Sequence, residues 1–143
     1  MWRVPYRPGK LQVVCRRGNE TAEDALETTG KPTGLSLHCD RKTLPADGQT
    51  VATLELSLTD GEGRVPMNAD EPVTVQITGD AAVIGFENGN PADLTPFAST
   101  ARPTWRGRAV VYLRAGTLPC EVTLTAWTRS GLKKTIKLEQ RRA

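Results

Sequence analysis

With 143 residues, 38% of them hydrophobic, and with 13 Gly and 10 Pro, the chain is long enough for one compact domain of common size and too short for that domain plus a barrel enzyme. Its 19 basic and 16 acidic residues are scattered and leave a formal net charge of +3, so no single-sign field of the kind that recruits nucleic acid is implied. No apolar run approaches the roughly 20 residues that cross a bilayer, and Met1-Trp2-Arg3-Val4-Pro5-Tyr6 is not a signal peptide; no membrane insertion is expected.

The first thirty residues read as a hairpin. Leu11, Val13 and Cys15 alternate as a strand, Arg17-Gly18-Asn19-Glu20 makes a turn, and Thr21 to Thr29 returns with Ala22 and Leu26 as its weak apolar positions. A lone two-stranded hairpin is marginal in water. Residues 1–30 are therefore expected to be the terminal strands of a preceding domain that has been removed. Residues 31–34 then form a linker, within Gly30-Lys31-Pro32-Thr33-Gly34.

From residue 35 the period is two, which places alternate side chains on one face of a strand. Leu35, Leu37 and Cys39 begin the series, and Ala52, Leu54, Leu56 and Leu58 continue it. The other sets are Val73, Val75 and Ile77; Ala109, Val111 and Leu113; Val122, Leu124 and Ala126; and Ile136 with Leu138. Turn signals lie between them at Ala46-Asp47-Gly48, Asp60-Gly61-Glu62-Gly63, Thr78-Gly79-Asp80, Asn88-Gly89-Asn90-Pro91 and Ser130-Gly131, as between antiparallel neighbours. About seven short strands without a convincing helix predict an all-β, immunoglobulin-like antiparallel sandwich over residues 35–140, an extra N-terminal hairpin, and a tail at 141–143.

Chemistry is sparse. Cys15, Cys39 and Cys120 lack CxxC spacing and an accompanying histidine cluster, which argues against zinc. Each falls at an apolar strand position, where a free thiol acts as a small hydrophobe; a Cys39 to Cys120 bridge is the alternative. His38, the one histidine, lies between inward Leu37 and Cys39 and so on an outward face, without a partner to orient it. The pairs Asp60 with Glu62 and Asp70 with Glu71 sit in turns, where Asp caps amides. Glu87 and Asp93 bracket Asn88-Gly89-Asn90-Pro91, an oxygen-rich loop that falls short of a full calcium-loop pattern. No cofactor is expected. The basic stretch Lys133, Lys134, Lys137, Arg141 and Arg142 alternates with apolar residues and reads as a solvated strand face and tail.

Aromatic residues give the better hint. Trp127 and Tyr112 both fall at outward positions, and if their strands are neighbours in one sheet they share a face with Arg108, Arg114 and Thr125. Such a face suits contact with another domain or stacking against a sugar. Trp2 stands near one end, and Trp105 in a Pro-rich loop from Pro91 to Arg106.

Two sets of residues carry a family resemblance. The run Val4-Pro5-Tyr6-Arg7-Pro8-Gly9-Lys10-Leu11, Arg17-Gly18-Asn19-Glu20 and Thr28-Thr29-Gly30-Lys31-Pro32 resembles the last strands of an immunoglobulin-like domain in bacterial family 2 glycoside hydrolases. Asp40-Arg41, Leu44 to Gly48, Val65-Pro66, Ala69-Asp70, Gly79, Asn88-Gly89-Asn90-Pro91, Phe97, Arg102 and Gly107 resemble the C-terminal domain of β-galactosidase-like members. Leu56-Ser57-Leu58-Thr59-Asp60 and Trp105-Arg106-Gly107-Arg108-Ala109 also resemble invasin-type adhesin repeats. The first resemblance implies a non-catalytic accessory module of a secreted, periplasmic or cell-surface enzyme, with the parent's other domains as partners. It implies catalysis by two glutamates in a barrel, and no residue here matches their motifs, so no catalytic residue is assigned. A carbohydrate-binding module using Tyr112 and Trp127 and an adhesin-like repeat are the alternatives. An isolated hairpin with open edges is also expected to pair with a second copy through residues 4–29.

Overall fold

The computed structural model describes residues 3–142. All regular structure among them is β: strands β1 (Lys10–Arg17), β2 (Glu20–Glu27), β3 (Gly34–Cys39), β4 (Thr43–Pro45), β5 (Val51–Thr59), β6 (Pro72–Thr78), β7 (Ala81–Glu87), β8 (Ala101–Pro103), β9 (Arg108–Ala115), β10 (Cys120–Thr128) and β11 (Lys133–Arg141). They form a two-stranded sheet β1-β2, a four-stranded sheet β3-β5-β9-β7 and a five-stranded sheet β4-β11-β10-β6-β8.

The two larger sheets make the expected sandwich. Leu54, Leu56 and Leu58 of β5, Val111 and Leu113 of β9 and Phe86 of β7 line one inner face. Val73 and Val75 of β6, Val122, Leu124 and Ala126 of β10 and Leu138 of β11 line the other, and all join one core cluster. Most are fully buried, and each such aliphatic side chain contributes about 1.5–3 kcal/mol of gross driving force. The alternate positions face out, as a period of two requires.

Three strands escape the sequence pattern. The strands β4 and β8 are only three residues long, too short to show alternation. In β7 a register shift between Val83 and Gly85 puts an extra residue opposite β9, and such a bulge breaks the period of two. The segment from Pro91 to Arg106 is accordingly not one continuous loop, since β8 pairs with β6 within it.

Most turns also differ from expectation. Only Ser130-Gly131 joins strands that neighbour each other in one sandwich sheet, β10 and β11. The turns at Ala46-Asp47-Gly48, Asp60 to Gly63, Thr78-Gly79-Asp80 and Asn88 to Pro91 each carry the chain from one sheet to the other. Gly79 shows why one of these crossings needs glycine. Its φ is 103°, and a Cβ there would stand 2.6 Å from the Glu121 carbonyl oxygen.

The hairpin is a separate layer. Strands β1 and β2 pair over their whole length, with Leu11 opposite Leu26, Val13 opposite Asp24 and Cys15 opposite Ala22. These residues share one face, and Gln12, Val14 and Arg16 take the other. Val13 alone in the two strands is even half-buried.

Candidate functional site

The outer face of the four-stranded sheet carries Arg108, Val110, Tyr112 and Arg114 from β9. In register, Tyr112 lies between Thr53 of β5 and Gly85 of β7, and Val110 between Glu55 and Glu87. The Tyr112 hydroxyl donates to Glu87 Oε1 at 2.7 Å. This bond to a carboxylate, with desolvation, raises the phenol above its ordinary pKa. Phe97 lies across Gly85, where a Cβ would run into its ring, and stacks on Tyr112 with ring centroids 5.9 Å apart and planes at 28°.

Trp127 is elsewhere. It is half-buried on β10, opposite Thr74 and Lys133, and faces out from the five-stranded sheet along with Thr125. Strands β9 and β10 belong to different sheets, so the condition for a shared aromatic face fails. Tyr112 shares the outer face of β9 with Arg114 next to it and Arg108 beyond Val110, and Trp127 stands on the opposite side of the sandwich. The reason is topological: the chain crosses the core between Ala115 and Cys120, where adjacency in sequence suggests a hairpin.

The oxygen-rich loop after β7 is held by an arginine. Arg102 and Asp93 form a buried ion pair at 3.1 Å, and Arg102 Nη2 donates to the carbonyls of Thr95 at 2.6 Å and Pro96 at 3.2 Å. Asn88 donates to Asp93 and to the Pro103 carbonyl, and its Oδ1 accepts the Asn90 amide. The hydroxyl and amide of Thr95, ahead of the Arg102 charge, depress the Asp93 pKa. The loop's oxygens thus serve its own donors, with a guanidinium where a cation would be sought.

Asp60 is the other buried polar centre. It accepts hydrogen bonds from the amides of Gly30, Glu62 and Arg64 and from Arg64 Nε. The Gly30 bond leads these causes, and together they hold the carboxyl far below the usual carboxylate range despite desolvation. Arg64 also pairs with Glu27 at the end of β2. Asp60 thus caps its own turn, as the sequence predicts, and also ties the hairpin's exit to the sandwich.

A groove of about 800 Å3 runs beside the hairpin, walled by Val4, Tyr6, Leu11, Leu26 and Met67 among others. Its one carboxylate is Glu27, already engaged with Lys10 and Arg64. His38 is exposed, paired in register with Glu55. The three cysteines are free: Cys39 and Cys120 are half-buried, and Cys15 is exposed rather than packed. Trp105 is half-buried, with the Arg106 guanidinium 4.7 Å over its ring; Trp2 lies outside the described residues. Nowhere among the described residues do a nucleophile, a base and an orienting partner converge.

Residues 35–137 match the family model for glycoside hydrolase family 2 C-terminal domain 5. The chain belongs to that family. This family 2 domain is 32% identical over 136 residues to the β-galactosidase BoGH2A of Bacteroides ovatus, covering 94% of the chain and 16% of that protein. A β-galactosidase of Thermoanaerobacter pseudethanolicus is 32% identical over 109 residues, 76% of the chain and 13% of that protein. A family 2 glycosyl hydrolase from Bacteroides cellulosilyticus superposes with a TM-score of 0.94 at 31% identity, covering 99% of the chain and 18% of that one. The chain therefore spans less than a fifth of these relatives. The D00-D0 domain of intimin, at 19% identity and a TM-score of 0.50, shares the fold alone.

Seen as a family 2 C-terminal domain, the module has a feature that sequence reasoning missed, the exposure of Leu94 and Phe97, 94% and 53%, on the loop that Arg102 holds. The signal for them is slight, two large apolar residues isolated in a Pro-rich stretch.

Proposed function

We propose that this domain is a non-catalytic accessory module of a β-galactosidase-like family 2 glycosidase, secreted or periplasmic, that packs on its neighbouring domains and starts with the last strands of a preceding immunoglobulin-like domain. The observation that carries the reading is the hairpin's apolar face. Leu11 is 49% and Leu26 71% exposed, side by side in an ordered two-stranded sheet. A two-stranded sheet that carries such an adjacent apolar pair is suited to being covered by another layer. Asp60, Arg64 and Glu27 fix that face relative to the sandwich, so a domain seated on the hairpin would set where the sandwich hangs.

The reading predicts no turnover. Nitrophenyl β-galactoside incubated with this chain should hydrolyse no faster than in buffer; a rate that persists after removal of host enzyme would contradict it. A sugar-binding role would rest on Trp127 alone or Tyr112 alone, since the two do not share a face. Galactan titration followed by tryptophan fluorescence tests the first, with no change expected at millimolar sugar. The extracytoplasmic location rests on the resemblance and is checked by fractionating cells that express the parent protein.

A further inference from the structure

We propose that Asn88-Gly89 is a latent modification site: the fold protects it, and unfolding opens it to a covalent change at Asn88 that stops the chain from folding again. It is the one Asn-Gly step in the sequence. A glycine after asparagine leaves its backbone nitrogen free of side-chain crowding, so in a flexible chain that nitrogen reaches the asparagine side chain. The Gly89 nitrogen gives up its proton and bonds Asn88 Cγ; the Cγ–Nδ2 bond breaks, and Nδ2 leaves as ammonia with that proton. Water then opens the resulting cyclic imide at one carbonyl or the other. The products are aspartate, or isoaspartate with the main chain rerouted through the side chain.

The folded chain withholds what this reaction needs. Asn88 is buried. Its Nδ2 donates both protons, to Asp93 Oδ2 and to the Pro103 carbonyl, each at 2.9 Å, and its Oδ1 accepts the Asn90 amide at 2.9 Å. Cyclisation has to break these bonds where no water replaces them, which is costly. The product, in turn, does not suit the loop. An aspartate at position 88 presents an acceptor where Asp93 Oδ2 and the Pro103 carbonyl each receive a proton, and it sets a second carboxylate against Asp93, an arrangement that penalises both charges. Arg102 supplies a positive charge there, and Asp93 already takes it. Isoaspartate adds a methylene to the backbone directly after Glu87, the last residue of β7 and the partner of Val110. Time spent unfolded is thus recorded at Asn88, and a reversible transition becomes irreversible through chemistry on the unfolded chain.

The test holds this chain in warm, mildly alkaline buffer, either folded or unfolded in guanidinium chloride, and samples both over days. Peptide mapping by mass spectrometry reads asparagine, aspartate and isoaspartate at position 88. Conversion should be at least about tenfold slower in the folded chain, because there it proceeds only through opened molecules. Samples withdrawn from denaturant at increasing times are diluted, and the refolded fraction is isolated by size-exclusion chromatography. That fraction should keep asparagine at position 88, while converted chains collect in the unfolded or aggregated remainder. Equal conversion in the folded and unfolded chain, or none in either, overturns the protected site. The same share of converted chains in the refolded fraction as in the whole sample overturns the block on refolding.

Discussion

The hairpin and the sandwich obey the same alternation and reach opposite results. In β5 the even-numbered positions Ala52 to Leu58 are fully buried because a second sheet lies across them. In β1 and β2 the corresponding apolar positions Leu11 and Leu26 stay exposed, although the pairing is complete over eight residues. Hydrogen bonding sets the ladder in both; what separates them is the second layer, which turns a patterned strand into a source of stability. The sandwich supplies its own, and among the described residues none lies over Leu11 and Leu26.

Substitutions sharpen that contrast. Leu56→Ala, in the core, should lower the urea-unfolding free energy by about 2–5 kcal/mol, whereas Leu26→Ala should change it by less than about 0.5 kcal/mol. Comparable losses at the two sites would mean that the hairpin is part of the cooperative core. Two glycines make a second pair. Gly79→Ala meets both a left-handed φ and the Glu121 carbonyl and should cost roughly 1–3 kcal/mol. Gly18→Ala in the hairpin turn has φ of 58° and open space, so it should cost about 1 kcal/mol in local strain and leave the thermal midpoint of the sandwich unchanged.

The junction between the two regions is sensitive to acid. The Asp60 carboxyl titrates lower in the folded chain than in the unfolded one, where its pKa is about 3.9. Its stabilising contribution is complete above that value and is lost as pH falls toward the folded-state pKa. Asp60→Asn should therefore lower stability at neutral pH and flatten its decline below about pH 4; an unaltered acid limb in thermal melts would refute the Asp60 clamp. The smallest effect is association. Light scattering should detect a weak, concentration-dependent dimer of this chain through the open edges of residues 4–29; a strict monomer at all concentrations would show those edges to be silent.

Much of this was readable from residues. Alternation located β3, β5, β6, β9, β10 and β11, because each has one buried and one solvated face. It missed β7, where the bulge at Gly85 and the Phe97 ring lying on its outer side disturb the period. Sheet membership was not legible either. A turn such as Thr78-Gly79-Asp80 has the composition of a hairpin whether its strands pair or cross the core, and for that reason Tyr112 and Trp127 could be placed outward but not on their separate faces. Of the carboxylates read as turn caps, Asp60 caps its own turn, while Asp70 instead accepts the amide of distant Arg106; that contact, the reach of Asp60 to Gly30, thirty residues away, and the grip of Arg102 on the Leu94 loop depend on tertiary proximity that no local pattern encodes.

Amide hydrogen exchange on this chain bears most directly on the division between a sandwich with a buried core and a hairpin whose apolar residues stay exposed. Paired amides of β5, β9 and β10 should exchange only through global unfolding, while those of β1 and β2 exchange orders of magnitude faster through local opening. Uniform protection across both regions would contradict the account.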